Sequence, residues 1–179
     1  MSNKTDSKNS KGWLIRVFLI TFILSLVFNS LSTEVVEKAN IITSVIILIA
    51  VILIGILFDL IATAVTAADE APFHAKAADK KKGAKQSVKL VKNADKVSNF
   101  CADVVGDICG VLSGATSALI SVNISNAIGM NDITIVTMIV TALATSLTVF
   151  GKALGKHIAI VKANDIIDTI GKILSIFSK

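Results

Sequence analysis

Residues 101–121 read CADVVGDICGVLSGATSALIS. As a helix this stretch sets Asp103, Asp107, Gly110, Gly114, Ser117 and Ser121 at spacings of 4, 3, 4, 3 and 4, on one narrow face. The rest of it is apolar or small. An isolated charge at membrane depth costs at least ~2.5 kcal/mol even on lenient insertion scales, so the two acids are expected to face protein or water and to mark a functional site. Such a helix needs partners.

Working outward, 53% hydrophobic residues in 179 and a mean hydropathy of +0.75 point to an all-α integral membrane protein, one domain embedded in lipid. The formal charge of +5 does not argue for nucleic acid. The lysines sit in the gaps between apolar runs, where membrane proteins keep cytoplasmic charge, and no aromatic residues alternate with them. Cys101 and Cys109 lie eight apart in the apolar stretch with no CxxC pair, and read as buried packing thiols. His74 and His157 are isolated at membrane edges and read as surface histidines.

Residues 1–12 are polar and lysine-bearing, a disordered cytoplasmic tail. Residues 13–31 form an additional N-terminal transmembrane helix, uncleaved because no small-residue site follows, with Trp13 and Arg16 anchoring its start. The run 41–58 carries no charge, and its helix is expected to continue until Pro72. Along it Gly55, Asp59, Thr63, Thr66 and Glu70 make a second polar stripe. Residues 74–96 hold eight lysines against two aspartates. Lys85, Lys89, Lys92 and Lys96 share one helical face, with Ala84, Val88 and Val91 on another. This is either a basic helix lying on anionic headgroups or an ordinary solvated charge run.

A fourth span covers 133–150, where Thr134, Thr137, Thr141, Thr145 and Thr148 form a stripe whose next step is Lys152. Residues 157–179 read as an amphipathic juxtamembrane helix with Ala163, Ile166, Ile167, Ile170, Leu174 and Phe177 on one side. Lys and Arg number four in the first 16 residues, eight in the central loop and five after Phe150, against one and none in the two other links. The positive-inside rule then gives four transmembrane helices with both termini cytoplasmic, in the cell membrane.

Small and hydroxyl residues alone would serve close helix packing, and Gly110 with Gly114 is a GxxxG pair. The carboxylates Asp59, Asp69, Asp103 and Asp107 ask for more: a cation, a proton or a paired base. Hard cations take carboxylate, hydroxyl and carbonyl oxygens, all present in the stripes. Lys152 is the rival, able to neutralise the aspartates without metal. No nucleophile with its base, and no metal cluster of catalytic spacing, supports an enzyme.

These residues resemble the transmembrane domain of the CNNM/CorB/CorC magnesium transporter family over roughly residues 45–179, with the domain itself at 41–156. Thr66-Ala67-Ala68-Asp69-Glu70-Ala71 looks related to the family's Ser-Ala-Ser-Glu-Thr-Ala-Leu type motif. Gly83-Ala84-Lys85 and Asn93-Ala94-Asp95-Lys96 are comparable to its basic stretch. Phe150-Gly151-Lys152-Ala153-Leu154-Gly155-Lys156 stands where it has Gly-Glu-x-x-Pro-Lys. The chain departs from the pattern at Thr66 and Ala68 for two serines, Asp107 and Val111 for two asparagines, Lys152 for the glutamate and Gly155 for the proline. A divergent relative lacking the CBS domains is the expectation.

The resemblance implies transport of Mg²⁺ as cargo, with none tightly bound, and a homodimer. With the stripes, it makes Thr66, Asp69, Asp103 and Asp107 the oxygen ligands or proton carriers, Gly151 a carbonyl donor and Lys152 a tethered cation or gate. Thr66, Asp107 and Gly151 would be the metal ligands. A proton or Na⁺ coupled cation is the variant within this reading. The alternative is a non-transporting membrane interaction or regulatory protein with a structural Asp–Lys salt bridge, its basic loop and tail bound to lipid headgroups or a partner.

Overall fold

The computed structural model describes residues 15, 18–27, 30, 40–129 and 132–177 of the chain, and every described element is helical. The tail at 1–12 lies outside the described residues, as does much of the segment 13–31. What is described of that segment is a ten-residue apolar helix, α1 (Phe18–Val27). Three helices are long and apolar enough to cross a membrane: Ile41–Ala67, Ala94–Ile128 and Ile133–Val161. The chain is therefore a multi-pass helical membrane protein. In hydrocarbon every backbone polar group must be bonded within its own segment, so runs of Ile and Val that are mediocre helix formers in water are helical here.

α2 (Ile41–Ala67) starts where the Asn40 side chain accepts the Thr43 N–H at 2.9 Å. It ends before Pro72 is reached, not at it. Asp69 donates its N–H to Asn164 Oδ1 at 2.9 Å and accepts the Ala71 N–H on its own carboxylate at 3.3 Å, local bonds that compete with helix continuation. Pro72 instead sits in the first turn of α3 (Ala71–Ala78), where its missing N–H costs nothing.

The basic segment is three helices rather than one: α3, α4 (Ala84–Lys92) and α5 (Ala94–Asn99). Gly83, at φ +85°, makes the break before α4, in a conformation L side chains rarely adopt. The Asn93 amide, donating to Lys89 O at 2.9 Å, closes α4. Lys85, Lys89 and Lys92 are exposed on α4 while Ala84 and Ser87 are buried, so its amphipathic reading holds; the exposed Lys96 belongs to α5.

α5 continues through a π-helical segment (Phe100–Gly106) into α6 (Asp107–Ile128), capped by Gly129 at φ +70°. α7 (Ile133–Val161) starts on Asp132, whose carboxylate accepts the Thr134 N–H at 3.0 Å. It runs well past Phe150, so His157 belongs to the span's continuation, and α8 (Ala163–Phe177) starts only after Lys162.

α2 and α7 run one way and α6 the other, leaving the helices α3–α5 and α8 together at one end, the basic side. Between α2, α6 and α7 the packing is Leu48, Ile52 and Ile120 with Ile56, Val140 and Ala144. α1 joins through Leu24 against Val104, Ile108 and Leu112. On the basic side Ala64, Val65, Phe73, Ala159 and Ile167 form a separate small core beneath Val88 and Val91. Asp168 on α8 ties this region together, accepting Lys172 Nζ at 2.9 Å and Lys76 Nζ at 3.2 Å. The Lys172 hydrogen bond, followed by that of Lys76, holds the Asp168 carboxyl below the usual carboxylate range despite partial burial.

Candidate functional site

Gly55 on α2 lets α6 come close: a Cβ there would stand 3.0 Å from Cys109 Cβ. One turn toward the basic side is Asp59, its side chain only about 10% exposed. From α7, Lys152 and Lys156 lie one turn apart and both reach it, Lys152 Nζ at 3.9 Å from Oδ1 and Lys156 Nζ at 3.9 Å from Oδ2. At that separation the attraction is through space, beyond hydrogen-bond reach. Oδ2 is buried and has no hydrogen-bond partner among the described residues. Lys152 also lies beside Gly106 of the π-helical segment, where a Cβ would stand 3.9 Å from Nζ. At 1.5 Å per residue Asp59 is about 27 Å along α2 from Ile41, close to the basic-side limit of a ~30 Å hydrocarbon layer.

Beyond the Gly55–Cys109 contact, on the side away from Asp59, α6 carries a column of hydroxyls. Ser113 is one turn beyond Cys109, and Ser113, Ser117, Ser121 and Ser125 follow at steps of four, all buried. Ser113 donates to Gly110 O at 2.9 Å, and Ser117 and Ser121 to Ser113 O and Ser117 O, each at 2.7 Å. A serine that donates to its own helix still offers acceptor lone pairs to the interior. The column spans about 18 Å at the helical rise. The stripe singled out in the sequence holds only its middle pair, Ser117 and Ser121. Ser113 and Ser125 share their spacing of four and were findable by that alone.

The six residues proposed from sequence do not converge. Lys152 points into the bundle, and neighbouring Gly151 packs so closely on Ile56 that a Cβ would run into that side chain. Thr66 is exposed and spends its hydroxyl on Thr63 O at 2.9 Å and Ala62 O at 3.3 Å. Asp69 is exposed at the α2–α3 joint. Asp103, in the π-helical segment, and Asp107, at the start of α6, are exposed on the outer side, with no ion pair to a described lysine. Gly110 and Gly114 share that outer side, and a Cβ added at either would meet no described residue within 4 Å. The 103–121 stripe thus divides, acids and glycines outward, Ser117 and Ser121 inward. The division runs along the length of α6: Asp107, Gly110 and Gly114 lie toward its basic-side end, where this face is uncovered, and Ser117 and Ser121 farther along, where it is covered. The acid that meets Lys152 is Asp59.

The threonine stripe of α7 is likewise bonded to its own backbone: Thr137 to Ile133 O at 2.9 Å, Thr141 to Thr137 O at 2.6 Å and Thr148 to Ala144 O at 2.7 Å. Among the described residues no group of three or more His, Cys, Asp or Glu side chains is placed to hold a metal ion. Compared with known proteins, the chain matches no family model, no curated protein and no solved structure.

Proposed function

We propose that this is a divergent CNNM/CorB-like membrane protein that moves a cation along the seam between α2, α6 and α7. Asp59 is the acid at the basic-side mouth, the serine column the path, and Lys152 the built-in cation that the cargo must displace. The observation that carries the reading is the buried Asp59 oxygen without a hydrogen-bond partner among the described residues, with a row of buried hydroxyls farther along the same bundle. An incoming positive charge or proton would satisfy it and release Lys152 from the carboxylate. One carboxylate facing two ammonium groups suits a proton or a monovalent cation better than Mg²⁺, which demands near-octahedral oxygen and gives up water reluctantly. The lysine distribution supports an orientation with the basic side and both termini in the cytoplasm, and the additional helix at 13–31 as a fourth span. A homodimer would give the outward Asp103 and Asp107 a partner surface.

Reconstitution into proteoliposomes with proton, Na⁺ and Mg²⁺ reporters tests the proposal. The expected result is cation flux above empty vesicles that falls at least tenfold in Asp59→Asn. Absence of flux of any of the three sinks it. A second reading is favoured by the serine bonds back to their own helix and the tight Gly55–Cys109 contact, both of which suit a closed bundle. There the Asp59–Lys152 pair is a permanent lock in a membrane interaction protein, and Asp59→Asn lowers stability with no flux to lose.

A further inference from the structure

Between the basic-side end of α2 and the flank of α8 runs an open groove of about 410 Å³, within the ~300–1,000 Å³ of ordinary ligand sites. Its walls are apolar: Leu57, Leu60 and Ile61 from α2, Ile166 and Ile170 from α8. Leu57 lies about 24 Å along α2 from Ile41, inside a ~30 Å hydrocarbon layer, so this wall meets acyl chains and not water. The rim is polar and of mixed sign. Lys162, between α7 and α8, and Asp165, in the first turn of α8, are both exposed, and neither forms an ion pair with the other or with any described residue. Thr169 lines the same edge, donating its hydroxyl to Asp165 O at 2.8 Å.

We infer that this groove holds one phospholipid of the basic-side leaflet whose headgroup carries both a phosphate and a primary ammonium. An acyl chain lies on Leu57, Leu60 and Ile166, the phosphate meets Lys162 and the ammonium meets Asp165. A purely anionic headgroup would satisfy the lysine and oppose the aspartate; a zwitterionic one with N–H donors complements both, the ammonium donating to the carboxylate. The choline analogue has no N–H to give. The exposed lysines of α4 and α5 attract anionic lipid in general, a diffuse effect that a groove-specific measurement must separate.

The full-length protein, purified in mild detergent, is offered equal amounts of phosphatidylethanolamine, phosphatidylglycerol and phosphatidylcholine of identical chains, and retained lipid is read by native mass spectrometry. The expected result is a single-lipid adduct enriched at least threefold in phosphatidylethanolamine over each competitor. Asp165→Lys, which makes the rim doubly positive, should switch the preference to phosphatidylglycerol. Leu57→Trp, on a lipid-facing position where the fold is checked by circular dichroism, should fill the groove and abolish the adduct. Equal retention of the three lipids, an unchanged preference in Asp165→Lys, or an undiminished adduct in a folded Leu57→Trp protein each overturns the inference. So does a lipid-free dimer that Leu57→Trp dissociates, since a second copy would then be the occupant.

Discussion

Two ammonium groups stand on one buried carboxylate at Asp59, and they are unequal partners: the Lys152 side chain is about 31% exposed, that of Lys156 about 56%. Asp59→Asn leaves Lys152 half-buried without a counter-charge. Its expected cost is about 2–3 kcal/mol, below the ~3–5 kcal/mol of a fully buried pair because Lys152 keeps some solvent. Unfolding in detergent followed by circular dichroism reads it, and adding Lys152→Met should recover most of the loss. Lys156→Ala should change stability by no more than ~1 kcal/mol. Asp107→Asn, by contrast, alters an exposed carboxylate that forms no ion pair with a described lysine and should stay within ~0.5 kcal/mol. A large effect of Asp107→Asn with a small one of Asp59→Asn would reverse the assignment of Lys152's partner.

Asp168 titrates outside the spans. Its folded pKa is depressed by Lys172 and Lys76, so the stability it contributes is present above the unfolded carboxylate value of about 3.9 and is lost as pH falls through the folded value. The amide protection factors of α8, with the intrinsic pH dependence of exchange divided out, should therefore be flat from neutral pH to about 5 and fall only below about 4, a dependence that Asp168→Asn removes.

At the scale of elements, α8 is docked by backbone contact. A Cβ at Gly171 would meet the Ser87 hydroxyl and stand 2.7 Å from Gly83 O, and one at Gly83 would stand 2.6 Å from Lys172 N. Gly83 O and Lys172 N are backbone atoms that cannot swing aside, so the helices must separate. Gly171→Val should cost ~1–3 kcal/mol by overpacking and, in limited proteolysis, make the link before α8 cleavable while the three spans stay protected. Gly110→Ala, with open space around it, should do neither. Among the spans the serine column lets α6 approach its neighbours, and Ser117→Leu should destabilise the bundle through the same overpacking, whereas Ser117→Ala should be nearly silent in stability and report on flux alone.

For the whole molecule, the termini of the three spans put Asn40 and Asp132 at one end and all the short basic helices at the other. If the basic side is cytoplasmic, Asp132→Cys is labelled by a membrane-impermeant maleimide on intact cells and Lys82→Cys only after the cells are opened. The native Cys101 and Cys109, both buried, should stay unlabelled in each case. The opposite pattern would invert the orientation. How much of this was legible beforehand follows from the range of the forces involved. Uninterrupted apolar runs, the lysine-rich gap and the amphipathic tail announce helices, spans and a surface segment, because burial in lipid acts residue by residue along the chain and leaves its period in the sequence. Which face of each helix meets which neighbour is another matter. Asp59, Asp103 and Asp107 look alike as acids on greasy helices, and only the assembled bundle, with α7 carrying Lys152 across to α2 and no neighbour covering the basic-side end of α6 on the face of its acids, turned the first inward and left the other two outside. Charge pairing and helix register are settled by contacts between residues some ninety positions apart, and no local pattern records them.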